Sequence, residues 1–238
     1  MHTHIVVTRF SMPIPGFKPI HNRREWFAHR AQLFHTYYVP SIQCQLLKPQ
    51  CVYLGFDWCD RDLVREYLHV PRGWVKFFCD QPLEHRTPEH NHVVSHQLWA
   101  HNTWQHCVYR YSKTNVCISR IDSDDMIAED YFLTVSETVQ QNPLKDCYYI
   151  VNTKGAITDT RTVRASVVDN PPFISYYVKQ FLRPKDIYDR NHGTVLAADH
   201  VHNHQGAWMQ IAHEHNQINS VEGGDLFRRE DFSKFAWR

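Results

Sequence analysis

The chain is expected to fold as an α/β protein built on a largely parallel sheet. Short apolar, β-rich runs alternate with helix-like stretches through the first 152 residues. One of those runs, Val116 to Ile121, leads straight into the acidic turn Asp122-Ser123-Asp124-Asp125. With 238 residues and 42% hydrophobic content, the chain can bury a substantial core.

The elements follow in order. Ile5 to Phe10 reads as a first strand. Arg23 to Tyr38 carries Trp26, Phe27, Leu33, Phe34 and Tyr37 at helical spacing, and Pro40 is expected to stop it. Ser41 to Leu47 reads as a short helix opening on serine. Cys51 to Phe56 is the next strand, Asp60 to Leu68 a short helix, and Trp74 to Cys79 a third strand. His96 to Tyr109 reads as helical, with Trp99, Trp104 and Val108 on its apolar side. After the fourth strand and the acidic turn, Met126 to Gln140 reads as a helix and Cys147 to Asn152 as a fifth strand. Gly155 to Val168 alternates as a hairpin does, and Pro171-Pro172 breaks the chain. From Tyr188 onward the expectation is irregular structure with one helix over Trp208 to Asn216.

The bulk numbers narrow the function. Lys plus Arg number 26 against 25 Asp plus Glu, a net charge of +1, so no basic stripe points to a nucleic-acid partner. Eighteen histidines make the real charge sensitive to pH between about 5 and 7. The seven cysteines form no CxxC pair, which leaves buried free thiols in a reducing compartment as the simplest reading. No stretch approaches the roughly 20 apolar residues of a membrane span, and no signal-peptide core follows Met1. The expectation is a cytoplasmic enzyme, able to work at a membrane surface where acceptors are lipid-linked.

The acidic turn carries the chemistry. Ligands of a parallel α/β sheet gather at the carboxyl ends of its strands, where Asp122 to Asp125 would lie. Three carboxylates within four residues repel one another unless a cation offsets them. Oxygen donors of this kind suit Mg²⁺ or Mn²⁺, which also bind substrate phosphates. A solvated helix cap would use the same residues, and a bare DxD is frequent by chance.

The segment Arg120-Ile121-Asp122-Ser123-Asp124-Asp125 closely resembles the R-x-D-x-D-D stretch of GT-A-type glycosyltransferases, in particular the family named for rhamnosyl transfer. Val7-Thr8-Arg9-Phe10 resembles the first strand and turn of that family. Arg30 to Gln45 is similar to its R-x-x-L-F…P-S-x-x-x-Q signature, and Trp208 to His213 with Asn216 is similar to its W-x-Q-x-x-H…N block. The four blocks reach from about residue 5 to 219. Two departures stand out: Glu214 replaces an expected glycine, and Asp199 to His204 has no counterpart.

The resemblance implies one GT-A-like domain over residues 1–238. Residues up to about 152 would hold the nucleotide sugar, and those from about 153 the acceptor. It implies a divalent ion, Mn²⁺ or Mg²⁺, on Asp122, Asp124, Asp125 and His213, with Asp124 as the principal ligand. Thr8, Arg9, Asp57, Arg120 and Asp122 would line the donor, and Trp208 and Asn216 the acceptor. Asp57 fits a turn residue as well. The catalytic base stays open among Asp199, His213 and Glu214. The implied activity is transfer of a sugar, rhamnose by the family name, from a nucleoside-diphosphate sugar to a glycan or lipid-linked glycan in polysaccharide or surface-glycan synthesis. A non-catalytic carbohydrate-binding relative, or a metal-dependent hydrolase or nucleotidyltransferase using the same aspartates, would share these features. Separately, His200, His202 and His204 alternate, so on a strand they would share one face as metal ligands do, while on a loop they would be unremarkable.

Overall fold

Among the described residues, six of nine strands point the same way in one sheet of order β3-β2-β1-β4-β8-β6-β9-β5, with β7 attached to β6. The computed structural model describes residues 2–11, 22–79, 110–111, 113–159, 163–167, 173–180, 195–213 and 235. The strands are β1 (Thr3–Arg9), β2 (Cys51–Asp57), β3 (Val75–Cys79), β4 (Val116–Arg120), β5 (Met126–Ile127), β6 (Cys147–Thr158), β7 (Val163–Val167), β8 (Ile174–Val178) and β9 (His200–Ile211). The helices are α1 (Arg23–Leu33), α2 (Val39–Gln43), α3 (Arg61–Tyr67) and α4 (Tyr131–Gln141). β1 to β4 form a parallel block, β8 enters antiparallel beside β4, and β6 and β9 resume the parallel direction. This is an α/β architecture with a mostly parallel sheet flanked by helices. The expected helix over His96 to Tyr109 lies outside the described residues.

The two-residue period of a strand sorts the core onto both faces of the sheet. Val6, Leu54 and Cys117 pack on one face with Phe27, Phe34, Phe132 and Val135 of the helices. Ile5, Val7, Tyr53, Ile118 and Tyr176 pack on the other.

Pro40 does not end the first helix. A proline removes an N–H and crowds the carbonyl one turn back. Here the turn before it is a π segment, Phe34–Tyr38, in which Val39 N bonds Phe34 O. The wider turn absorbs the proline, and the helix runs on to Gln43. The expected second helix, Ser41 to Leu47, is therefore the end of this one.

Met126 does not begin a helix either. Met126 and Ile127 form β5 against Met209 and Trp208 of β9, and α4 starts only at Tyr131. Both side chains are fully buried, which a strand edge against β9 satisfies. Gln45 fixes the bend that follows. Its Nε2 donates to Ala128 O at 2.6 Å and Ser41 O at 2.8 Å, and its Oε1 accepts from Phe132 N at 3.2 Å. The Gln45→Leu variant leaves these buried groups unpaired and is expected to lose about 3 kcal/mol. Urea unfolding checks this; a change under about 0.5 kcal/mol would refute the brace.

The hairpin near Gly155 to Val168 is present, with Thr158 opposite Val163 and Lys154 opposite Val167. Its first arm is longer than expected, because β6 is continuous from Cys147. The larger correction lies at the far end. Residues 200–211, expected as irregular chain and the start of a helix, form the 12-residue strand β9 along β6. The pairing runs Asn152 to Asn203 and then Lys154 to Ala207, so two extra residues bulge out of β9. That bulge breaks the alternation a strand would print in the sequence.

A buried polar chain pins β6, β9 and α4 together. Asn152 Nδ2 donates to Tyr131 Oη at 2.7 Å, and Asn203 Nδ2 donates to Asn152 Oδ1 at 2.9 Å and to Thr134 Oγ1 at 3.2 Å. Each partner is buried, so each bond answers a desolvation cost that water cannot.

Candidate functional site

The acidic turn lies at the carboxyl end of β4, beside the carboxyl ends of β1 and β9. Asp124 meets two cationic-capable side chains at one oxygen: Oδ2 accepts from Arg30 Nη1 at 2.7 Å and lies 3.0 Å from His213 Nε2. Arg30 also donates from Nε to Ser123 Oγ at 3.0 Å. Its guanidinium stands over the ring of Trp26, 5.6 Å from the centroid. The His29 ring lies 5.1 Å from that of His213. Helix α1 thus presents Arg30 to a turn 94 residues later in the chain, and β9 delivers His213 just past its end.

Asp125 is tied to the sheet. Its Oδ1 accepts from Ile211 N at 3.0 Å, at the end of β9. Burial raises its carboxyl well above the ordinary range, and the charges of Asp124 and Asp122 push the same way. The Ile211 N–H and Arg30 pull against them. Asp122 is the more open member, with its side chain 28% exposed and Oδ1 4.0 Å from Arg120 Nε. The turn closes on itself through Asp125 N to Asp122 O at 3.3 Å.

Asp124 and His213 are the predicted pair that the structure brings into contact. Their donor set, a carboxylate and an imidazole, is of the kind a small divalent cation takes when it completes its shell with water and phosphate oxygens.

Other predicted residues are placed differently. Thr8 sits at the carboxyl end of β1 but is fully buried, with Oγ1 2.5 Å from Tyr38 Oη. It braces the helix rather than facing a donor. Asp57 is 2% exposed and caps the turn after β2, accepting from Cys59 N at 3.1 Å and lying 3.7 Å from Arg23. Arg23 in turn holds Asp60 with two bonds, of 2.5 and 2.7 Å. Asp57 is therefore the turn residue. Arg9 ends β1 partly buried at the same edge of the sheet.

Asp199 is at the wrong end of its strand. It precedes β9, pairs with Lys145 at the surface, and its backbone bonds Tyr149 N. The 12 residues of β9 separate it from His213 by roughly 35 Å. Trp208 is fully buried and stacks on Phe173 with centroids 5.0 Å apart. Its Nε1 donates to Asn152 O at 2.8 Å. A strand rather than a helix carries it, so it fills the core instead of walling an acceptor site. Glu214 and Asn216 lie outside the described residues. His200, His202 and His204 do share one face of β9, with rings 5.1 and 5.7 Å apart. His204 Nδ1 is 2.9 Å from Thr153 Oγ1, and His200 Nδ1 is 2.9 Å from Ala198 O.

The reading of the sequence assigned Arg30 no role. Its position at the head of the R-x-x-L-F signature was the available signal, since no helix-packing argument needs an arginine there.

No protein-family model and no curated protein matches the chain. Among solved structures, the chain is similar to a protein assigned as a nucleotide-diphospho-sugar transferase from Desulfovibrio desulfuricans G20. The TM-score is 0.44 at 12% identity, over 89% of this chain and 83% of that one. It is also similar to HddC from Yersinia pseudotuberculosis in complex with GMP-PN, at TM-score 0.39 and 11% identity, over 88% and 93% of the two chains. A second structure of HddC gives TM-score 0.37 at 10% identity. At these scores, the geometry of the turn rather than the likeness bears the functional reading. No helix among the described residues is long and apolar enough to cross a membrane.

Proposed function

We propose that the chain is a metal-dependent glycosyltransferase that takes a sugar from a nucleoside-diphosphate donor to a glycan acceptor. The observation that carries this is the contact of Asp124 with both His213 and Arg30 at the carboxyl ends of the strands. Asp124 and His213 would hold Mn²⁺ or Mg²⁺, with the more open Asp122 beside them. When bound, that ion offsets charge developing on a leaving diphosphate. Asp125, anchored on Ile211 N, holds the turn against β9. Arg30 orients Asp124 through its bond to Oδ2, and its fork is suited to phosphate oxygens.

Rhamnose as the sugar, and a polysaccharide or lipid-linked glycan as the acceptor, follow from the sequence resemblance alone. The base that accepts the proton of the acceptor hydroxyl is sought near His213 rather than at Asp199, which the fold places far away.

A panel of nucleotide sugars, assayed for binding and donor hydrolysis with Mn²⁺ or Mg²⁺ and then with EDTA, tests the proposal. The expected result is cation-dependent cleavage of one donor class, lost with EDTA. If no nucleotide sugar binds and EDTA changes nothing, the reading fails. Release of pyrophosphate from a nucleoside triphosphate and a sugar phosphate would instead point to a nucleotidyltransferase.

A further inference from the structure

The opposite end of the sheet carries a second cluster of metal-ligating side chains. His4 on β1 pairs in register with Cys117 on β4, so the two project from one face side by side. His2 lies two residues before His4 and so joins the same face. One ligand atom from each of His2, His4 and Cys117 lies within 4.8 Å of the others. This end is the amino end of β1 and β4, whereas the acidic turn follows the carboxyl end of β4. The two places share no residue.

His4 is oriented for ligation. It is 4% exposed, and its ring lies 4.5 Å from that of Phe132 on α4. Its Nε2 lies 2.7 Å from Ser119 Oγ, which is itself 2.5 Å from Ser175 Oγ. With Nε2–H donating to Ser119, the unshared pair is on Nδ1. That atom is buried and has no hydrogen-bond partner among the described residues. A buried polar atom left without a partner is costly. Metal-binding histidines characteristically spend their other ring nitrogen on such an outer partner. Cys117 is a fully buried free thiol. His2 is half-buried and gives the cluster its route to solvent.

We propose that His2, His4 and Cys117 form a binding site for a thiophilic metal ion, Zn²⁺ in the first place, that ties β1 to β4. Two imidazoles and a thiolate are a zinc donor set, and three protein ligands leave a fourth position for water. Zinc lies about 2.3 Å from sulfur and about 2.0–2.1 Å from nitrogen, so its donors stand about 3.5 Å apart. Closing the cluster from 4.8 Å takes a shift of little more than about 1 Å. His2 precedes the first strand and can supply it by side-chain rotation. On binding, the Cys117 thiol gives its proton to solvent and its sulfur becomes a ligand.

Cobalt titration of the metal-free full-length chain tests the site. Thiolate bound to Co²⁺ gives an intense near-ultraviolet charge-transfer band that carboxylate and imidazole ligands do not. The expected result is that band at one Co²⁺ per chain, reversed by Zn²⁺, and retained in Asp124→Asn. The band should vanish in Cys117→Ser. The His2→Ala and Ser119→Ala variants should bind Co²⁺ about tenfold or more weakly. His2→Ala alters a half-buried position, so it keeps the test open should Cys117→Ser fail to fold. No band in the wild-type chain, a band that persists in Cys117→Ser, or unchanged Co²⁺ affinity in His2→Ala would each overturn the proposal.

Discussion

Replacing Asp124 with Asn is expected to abolish the sugar transfer proposed above while the fold survives. Asp124 is 5% exposed, and one of its oxygens faces both Arg30 and His213. Asparagine keeps the shape and a carbonyl acceptor for Arg30, so the local packing is retained. It removes the charge that a divalent cation needs. Lewis-acid stabilisation is worth several kcal/mol of transition-state charge, so turnover should fall about 1000-fold. Stability should fall far less, by about 1–2 kcal/mol, because Arg30 is partly exposed and keeps its bond to Ser123. Turnover on the preferred nucleotide sugar, read beside the urea midpoint of the same preparation, separates the two effects. Full turnover in Asp124→Asn would remove Asp124 from the ion site. A collapse of stability with no folded protein to assay would shift the question to His213→Ala, which lies on the same oxygen.

The largest loss of stability is expected where β6 and β9 meet at Trp208. Its indole lies directly over Gly155, its register partner on β6. A Cβ built on Gly155 would stand 2.1 Å from Cε2 and 2.2 Å from Cδ2 of that ring. The ring cannot retreat, because it stacks on Phe173 and is fully buried. Glycine is required here for close approach, not for an unusual backbone angle. Gly155→Ala should therefore cost about 3 kcal/mol or more through overpacking. Trp208→Ala should cost about 3–5 kcal/mol through the cavity and the lost bond to Asn152 O. Domains are stable by only about 5–15 kcal/mol, so both variants should be largely unfolded on mild heating. The double variant, Gly155→Ala with Trp208→Ala, should lose clearly less than the two single losses added, since the new methyl enters space the indole leaves. Additive losses in urea unfolding would show that the two positions do not oppose each other.

The parallel half of the fold was legible because its signals are local. β1, β2, β3 and β4 are short apolar runs bounded by turns, and each was expected within a residue or two of where it lies. The acidic turn was legible for the same reason. It directly follows a strand whose five residues are all buried, and that order is written in the sequence. The misplaced elements are those whose state depends on distant partners. Pro40 is the local exception: it reads as a stop, yet the π segment Phe34–Tyr38 just before it lets the helix continue. Met126 and Ile127 fit a helix as well as a strand, and only β9, some eighty residues on, decides the matter. The bulge in β9 hid its alternation, and with it the burial of Trp208.

By itself the sequence determined an α/β sheet with an acidic turn at the end of its fourth strand, while a family resemblance grouped Asp122, Asp124, Asp125 and His213 as one expected ligand set. Hydrophobic period and turn chemistry act over a few residues, so one chain suffices to read them. Tertiary structure alone decided which carboxylates share partners. It set Asp124 against Arg30 and His213, turned Asp125 to Ile211, buried Trp208, and carried Asp199 away along β9. It also set His2 and His4 beside Cys117, more than a hundred residues apart in the chain. The physical reason is strand register: pairing fixes which side chains share a face and which end of the sheet they reach, and register is a property of two strands rather than one.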